Sequence, residues 1–262
     1  DWIKHFAAST FLLQPFFPSA DYFFSFNSPS WSLGCEQLFY FCFPLIVPFL
    51  HTKRSLFITL LICLPIMLAG MYLTNEEQIK AYWYVNPFTR LPDFFVGVLL
   101  YQFYRSLCNK KLSYSTGTLL EAGAVALFLL FFLCAADIPK VYRYSCYYWL
   151  PVSLIILIFA LQQGGISRLL SNRFLIIGGE ISYSFYLIHL FIIDTYMRMS
   201  AHYHWQIQWT ISVPVILCIT IILSLLSFYY FEKPANKWVK RIFTKKKIIN
   251  QPHGIINKNT TN

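Results

Sequence analysis

A carboxylate lies inside one of the most apolar stretches of the chain. Glu36 belongs to WSLGCEQLFYFCF, residues 31–43, within an apolar run that extends to residue 50. In a helix, Ser32, Glu36 and Tyr40 are spaced i, i+4, i+8 and therefore share one polar face. A carboxylate in a membrane helix costs about 2.5–3.5 kcal/mol on insertion scales, so it usually faces a bundle interior or a wet cavity. The pattern favours a functional carboxylate over one that only pairs with another helix.

Two more polar clusters occur inside apolar runs. Arg90 and Asp93 are spaced i, i+3, so they can form a local ion pair that lowers the cost of burying both. Ser182, Tyr186 and His189 are spaced i, i+4, i+7 and share a helix face. For each of these clusters a structural role is as good an interpretation as a functional one.

Other ionisable residues carry weaker signals. Glu121 is best interpreted as a polar packing residue, because its surroundings are otherwise apolar. His202 and His204 are two histidines without further ligands, which is poor evidence for a metal site. The sequence contains no GxSxG, P-loop or HExxH motif, so the residues alone do not name a reaction.

The composition predicts the elements that hold these clusters. Of the 262 residues, 57% are hydrophobic and only 12% are charged, which indicates a polytopic, all-α membrane helix bundle. The net charge of +10 does not indicate nucleic-acid binding, because the basic residues cluster in short segments between apolar runs. The seven cysteines form no CxxC pair and fit small core residues rather than a zinc or disulfide framework.

The apolar runs predict about eight transmembrane helices. One is short, at 6–18, and the others are near 31–50, 55–73, 88–104, 116–136, 146–163, 174–193 and 207–230. With both termini in the cytoplasm, 16 of the 21 Lys and Arg residues fall on the inner side, as the positive-inside rule requires. We therefore predict a membrane domain over 1–232 and a basic cytoplasmic tail over 233–262. Lys245, Lys246 and Lys247 would contact anionic lipid.

The three clusters resemble one known family, the integral-membrane acyltransferases of acyltransferase family 3, which include O-antigen, exopolysaccharide and peptidoglycan O-acetylases. The signature W-S-L-x-x-E-x-x-F-Y-x-x-x-P is matched by Trp31, Ser32, Leu33, Glu36, Phe39, Tyr40 and Pro44. RLPDFFVGVLL, with Arg90, Asp93, Phe94 and Gly97, resembles a second family feature. Gly179 to His189 resembles a third. The fourth is a glutamate–proline pair that ends the last span, which Glu232 and Pro234 resemble.

One family feature is not matched. The family begins with a helix that carries an arginine and a histidine held to be essential, and His5 in DWIKHF does not resemble it. The resemblance therefore implies an N-terminally truncated member whose eight helices belong to a bundle of about ten. We expect the 262-residue chain alone to be inactive.

The resemblance implies an O-acyltransferase of the bacterial inner membrane, multi-pass, with a cytoplasmic C-terminus. It would move an acyl group, acetyl in most members, from a cytoplasmic acyl-CoA such as acetyl-CoA to a hydroxyl of a cell-surface or lipid-linked glycan. Its partners would be this donor, the glycan and the bilayer, with no bound cofactor and no metal. The candidate catalytic residues are Glu36, Arg90 and His189, and the candidate substrate-binding residues are Trp31, Ser32, Tyr40, Ser182, Tyr183 and Tyr186.

Two other interpretations remain open at this stage. Intramembrane Glu, Arg and His side chains suit a transporter or flippase of glycan intermediates equally well on physical grounds. The chain could also be an inactive remnant of an acyltransferase.

Overall fold

The chain folds into helices throughout the part that the computed structural model describes, residues 2–46, 48, 52–205 and 208–249. No strand occurs among these residues, and the predicted all-α class is confirmed. The helices are α1 Trp2–Thr10, α2 Ala20–Phe23, α3 Trp31–Ile46, α4 Lys53–Tyr72, α5 Pro87–Leu107, α6 Tyr114–Cys134, α7 Lys140–Arg143, α8 Trp149–Leu161, α9 Gly165–Leu170, α10 Arg173–Tyr203, α11 Trp209–Ser227 and α12 Lys233–Ile249. Two π-helical segments, Lys80–Val85 and Phe228–Glu232, precede α5 and α12.

Four described helical stretches are long and apolar enough to cross a membrane. They are Lys53–Tyr72, Tyr114–Asp137, Arg173–Tyr203 and Trp209–Phe243, and α8 is a shorter apolar helix. Helices α3 and α5 form where the sequence predicts two further crossings. The chain is thus a helical membrane protein. The first of the eight predicted crossings does not form as one helix, and the other seven stay predictions.

The first predicted span, 6–18, is helical only as far as Thr10. The chain then turns, with Leu12 at φ 57° and a short 3₁₀ helix at Gln14–Phe16. A Cβ atom at Gly34 would lie 2.5 Å from the Leu12 carbonyl oxygen and from Pro15 Cγ. Glycine at this position therefore lets the turn rest directly on the first turns of α3.

Local signals fix where α5 begins. The Asn86 side chain accepts a hydrogen bond from the Phe88 amide at 2.9 Å, which caps the helix. Pro87 occupies the first helical position, where its missing N–H costs nothing. This start places Arg90 one turn inside the helix.

Helix α5 is central to the packing of the first part of the chain, where it contacts α3, α4 and α8. Leu56 of α4 and Phe95 of α5 are buried together. A second buried cluster joins α4 to the π-helical segment before α5 through Met67, Met71 and Trp83. These contacts pack α5 and the segment before it against α4.

The chain divides into two compact units, Asp1–Ile176 and Ile177–Asn262. The first unit holds α1–α9 and the start of α10, and the second holds the rest of α10 with α11 and α12. The predicted boundary at 232/233 stays a prediction. Within the predicted tail, Lys233–Ile249 is helical, and residues 250–262 lie outside the described residues.

Candidate functional site

Two of the three residues on the polar face predicted for α3 contact each other. Tyr40 donates a hydrogen bond from its hydroxyl to Glu36 Oε2 at 3.3 Å. Ser32 Oγ instead donates to the Pro29 carbonyl oxygen at 3.1 Å, at the base of the helix. Both Glu36 and Tyr40 are exposed, so the described residues do not cover this carboxylate. The helix presents it, with a phenol one turn away, as a group that can exchange a proton or hold a cation.

Arg90 and Asp93 form the predicted ion pair, with Arg90 Nη1 3.0 Å from Asp93 Oδ2. Arg90 Nε also donates to the Tyr84 carbonyl oxygen at 2.9 Å. The indole of Trp149, at the start of α8, donates to the other carboxylate oxygen, Asp93 Oδ1, at 2.5 Å. Asp93 therefore links α5 to α8 and fixes the guanidinium in place.

Aromatic rings surround this ion pair. The rings of Trp31 and Tyr84 have centroids 4.9 Å apart, and those of Tyr84 and Tyr144 are 5.0 Å apart. The guanidinium carbon of Arg90 lies 5.6 Å from the centre of the Tyr84 ring. Trp31, a predicted substrate-binding residue, is thus connected to Arg90 through Tyr84.

Glu36 and Arg90 lie on packed helices but do not touch. The rings of Phe39 and Phe94 stack between α3 and α5, with centroids 5.3 Å apart. Among the described residues Arg90 has an ion pair with Asp93 and none with Glu36. The two candidate catalytic residues are therefore brought to one pair of helices, and each keeps its own local partner.

The remaining predicted residues belong to the second unit, on α10. Ser182 Oγ donates to the Gly179 carbonyl oxygen at 2.7 Å, and His189 Nδ1 lies 2.7 Å from the Tyr186 carbonyl oxygen. The His189 ring stacks parallel to Phe185 at 6.0 Å. Ser182, Tyr183 and Tyr186 are exposed and His189 is partly buried. The predicted stripe exists, and its Ser and His side chains contact the backbone of their own helix.

The opposite face of α10 carries a contact that the sequence pattern missed. Ser184 is 4% exposed, and its hydroxyl donates to Glu232 Oε2 at 2.8 Å. Glu232 ends the π-helical segment after α11, so this bond joins the last span to α10. The signal available in the sequence was the Glu-Lys-Pro triplet, and its partner 48 residues earlier could not be deduced from spacing.

Glu121 serves a structural role in the first unit. It is 1% exposed, and its carboxylate accepts bonds from the amides of Gly164, Ile166 and Ser167 at 3.0, 2.8 and 3.1 Å, and from the Ser167 hydroxyl. A Cβ atom at Gly164 would overlap the carboxylate. Glu121 therefore fixes the turn between α8 and α9 to α6.

A shallow groove of about 340 Å³ lies near the start of the chain. It is lined by Trp2, His5, Asp21, Ser25 and Phe26. The His5 ring lies against Tyr22, with centroids 4.1 Å apart, and Ser25 Oγ donates to the Tyr22 carbonyl oxygen. Among the described residues no hydrogen bond joins His5 to Asp21 or Ser25, so they do not form a nucleophile–base–acid relay.

Comparison with known proteins decides the family. Residues 1–229 match the family model of acyltransferase family 3, which is described as an acyltransferase domain. The chain belongs to this family.

Three relatives support the assignment. The O-acetyltransferase OatA of Staphylococcus aureus is 28% identical over 79% of the chain and 36% of that protein. The acyltransferase MdmB of Streptomyces mycarofaciens is 25% identical over 70% of the chain and 49% of that protein. The putative peptidoglycan O-acetyltransferase YrhL of Bacillus subtilis is 26% identical over 90% of the chain and 39% of that protein. The chain thus spans about a third to a half of the length of these relatives, and no solved structure matches it significantly.

This family member thus combines a membrane helix bundle with two polar centres in its first unit, Glu36–Tyr40 and Arg90–Asp93–Trp149. The match over residues 1–229 assigns the chain to a family of acyltransferases. Chemically, a guanidinium held by a carboxylate that is itself bonded to an indole can stabilise negative charge at a fixed position. An exposed carboxylate beside a phenol can orient or accept a proton.

Proposed function

We propose that this acyltransferase moves an acetyl group from a cytoplasmic acyl-CoA to a hydroxyl of a cell-surface or lipid-linked glycan. The observation that carries the proposal is the family match over residues 1–229. The names of OatA and YrhL, both O-acetyltransferases, support acetyl as the group transferred, and the name of YrhL supports a glycan acceptor.

In this proposal Glu36 acts on the acceptor side. A sugar hydroxyl is a weak nucleophile and needs a positioned base, which typically contributes about 10²–10⁴-fold to the rate. Glu36 would orient such a base or charge-pair with it, because a carboxylate can fix the tautomer of an imidazole. The exposed carboxylate, whose described partner is the Tyr40 hydroxyl, supports this role.

In this proposal Arg90 stabilises the negative charge that develops during acyl transfer. Its Nε and Nη1 are held by Tyr84 and Asp93, while Nη2 makes no hydrogen bond to the described residues. A hydrogen-bond donor that is fixed before the reaction needs no reorganisation in the transition state, which is the condition for effective charge stabilisation.

The stripe on α10 completes the proposal in the second unit. His189 is the third catalytic candidate, and Ser182, Tyr183 and Tyr186 line the path of a substrate. The exposure of all three supports this role.

The proposed location is the bacterial inner membrane with a cytoplasmic C-terminus. The four long apolar stretches support a membrane location. The 15 basic residues on the predicted inner side after residue 50 support the orientation. Lys4 does not support it, because His5 lies against Tyr22, in the segment predicted to face outwards. With this orientation the starts of α3, α5 and α8 face outwards.

The proposal is tested with labelled acetyl-CoA and membranes that contain the product of the complete gene. We expect base-labile label in the glycan fraction, and we expect its loss in Glu36→Gln at unchanged membrane insertion. Glu77→Gln, which alters an exposed glutamate between α4 and α5, is the matched control. Label confined to lipid or protein would contradict the glycan acceptor. Normal glycan acetylation in Glu36→Gln would contradict the proposed role of Glu36.

A further inference from the structure

Three aromatic side chains form a row where α3 and α5 begin. The rings of Trp31, Tyr84 and Tyr144 follow one another at centroid distances of 4.9 and 5.0 Å, with interplanar angles of 48° and 50°. All three residues are partly buried, so each keeps some exposed surface. We call these three residues the aromatic row. The sequence predicts a binding role only for Trp31. Tyr84 lies in the π-helical segment before α5 and Tyr144 in the turn before α8, where no sequence pattern indicates a site.

Hydrogen-bonding groups lie beside the aromatic row. The guanidinium of Arg90 lies over the Tyr84 ring, and its Nε donates a hydrogen bond to the Tyr84 carbonyl oxygen. Its partner Asp93 also accepts from Trp149, and the side chains of Arg90 and Asp93 remain 17% and 31% exposed. Charged groups with one side fixed and another side accessible are suited to bind hydroxyl groups of a ligand.

Two polar atoms next to Tyr144 in the sequence have unused hydrogen-bonding capacity. Arg143 Nε and Ser145 Oγ are buried and have no hydrogen-bond partner among the described residues, and Ser145 as a whole is 6% exposed. Buried polar atoms are almost always bonded, and an exception in a folded protein calls for an explanation such as a ligand contact. The turn around Tyr144 thus combines a ring surface with polar groups that lack a partner.

We propose that the aromatic row is the binding platform for a sugar ring of the acceptor, an inference that rests on the proposed function. A pyranose has an apolar C–H face and a polar rim of hydroxyls. Its C–H face can lie on tilted aromatic rings, whose π faces carry partial negative charge. Its hydroxyls can bond to Arg90 and Asp93 at the edge of the aromatic row.

The position of the aromatic row favours the acceptor over the donor. Trp31, Tyr84 and Tyr144 all lie at ends of helices that the charge distribution assigns to the outer side of the membrane. The basic residues that could bind the phosphates of an acyl-CoA, such as Lys110 and Lys111, lie at the opposite end of α5. A cell-surface glycan would approach from the side of the aromatic row.

The first test measures initial rates with the complete gene product, labelled acetyl-CoA and soluble fragments of purified cell-wall glycan. In Tyr144→Leu we expect the KM for glycan fragments to rise about three- to tenfold, because leucine keeps apolar volume but loses the π face. Tyr144→Phe should stay within about twofold of the unaltered protein, since it keeps the ring. The KM for acetyl-CoA should not change in either variant. Tyr72→Leu, which alters an 84% exposed tyrosine at the end of α4, is the control.

The outcomes separate the two proposals. No transfer to glycan fragments by the unaltered protein would overturn the proposed function and this inference with it. Normal transfer with an unchanged glycan KM in Tyr144→Leu would overturn the inference alone. A rise in the KM for acetyl-CoA would also overturn it, because the aromatic row would then bind the donor.

A second measurement needs no variant and so does not depend on the folding of a mutant. Glycan fragments should protect Trp31 from oxidation by N-bromosuccinimide, as measured by peptide mass spectrometry. Trp2, which is 67% exposed and lies outside the aromatic row, should react equally with and without fragments. Equal oxidation of Trp31 in both conditions would overturn the inference.

Discussion

Replacement of Glu121 by glutamine should release the turn between α8 and α9 from α6. Oε1 of Glu121 accepts from the Gly164 amide and the Ser167 hydroxyl, and Oε2 accepts from the amides of Ile166 and Ser167. Glutamine keeps one of these two oxygens. It replaces the other with an NH₂ group, which cannot accept the two hydrogen bonds that this oxygen accepted. Two hydrogen bonds to a charged acceptor are therefore lost, each worth about 1.5–3 kcal/mol.

We expect local opening of the turn to become easier by about 3 kcal/mol, near the lower end of that sum because the turn relaxes. This corresponds to roughly 100-fold faster amide exchange, since about 1.4 kcal/mol is a factor of ten. Hydrogen–deuterium exchange of the protein in detergent, followed by peptide mass spectrometry over residues 162–172, measures the effect. Protection in the middle of α6 should change little, because its helical hydrogen bonds are unaffected.

The control is Glu180→Gln, which removes an equal charge from an exposed position on α10. It should leave exchange in residues 162–172 unchanged. If Glu121→Gln also leaves it unchanged, the carboxylate does not hold the turn and the reasoning fails. If Glu121→Gln accelerates exchange across both units equally, the residue supports the whole fold rather than this turn.

Three further predictions concern two other contacts and the orientation in the membrane. Trp149→Phe removes the indole N–H that donates to Asp93 and should lower acetyl transfer several-fold without loss of protein. Trp238→Phe, at an exposed position of α12, should not lower it. Equal rates in the two variants would show that the indole of Trp149 only fills space. Ser184→Ala removes the bond to the last span and should lower the free energy of unfolding by about 1–2 kcal/mol, measured by denaturant titration, and an unchanged midpoint would contradict this. A reporter fused at Asn109 should be active only as a cytoplasmic fusion, and periplasmic activity there would refute the predicted orientation.

The sequence predicts those parts of the site whose partners are close along the chain. The face shared by Glu36 and Tyr40 and the Arg90–Asp93 pair depend on helical spacings of three or four residues, and both form. Partners such as Trp149, 56 residues after Asp93, arise from packing between helices and leave no periodic signal.

The predicted helices are also reliable only where the signal is local in the sequence. Long apolar runs predict helices well, since hydrocarbon requires every backbone group to be bonded within the segment. The prediction for 6–18 failed after Thr10, where the chain turns so that Pro15 can rest on Gly34. That contact depends on a glycine in another helix, so the apolar composition of the segment could not reveal it.

The π-helical segment Phe228–Glu232 makes this region tolerant of a one-residue deletion. A π turn accommodates one residue more than an α turn over the same length. Deletion of one residue between 228 and 231 would therefore restore a regular α-helix and leave the later residues on the faces that they now occupy, with Glu232 still beside Ser184. The same deletion inside α12 would instead turn every later residue by about 100° around the axis. Natural variants of this chain that are one residue shorter between 228 and 231 should therefore keep the contact of the final helix with the membrane surface.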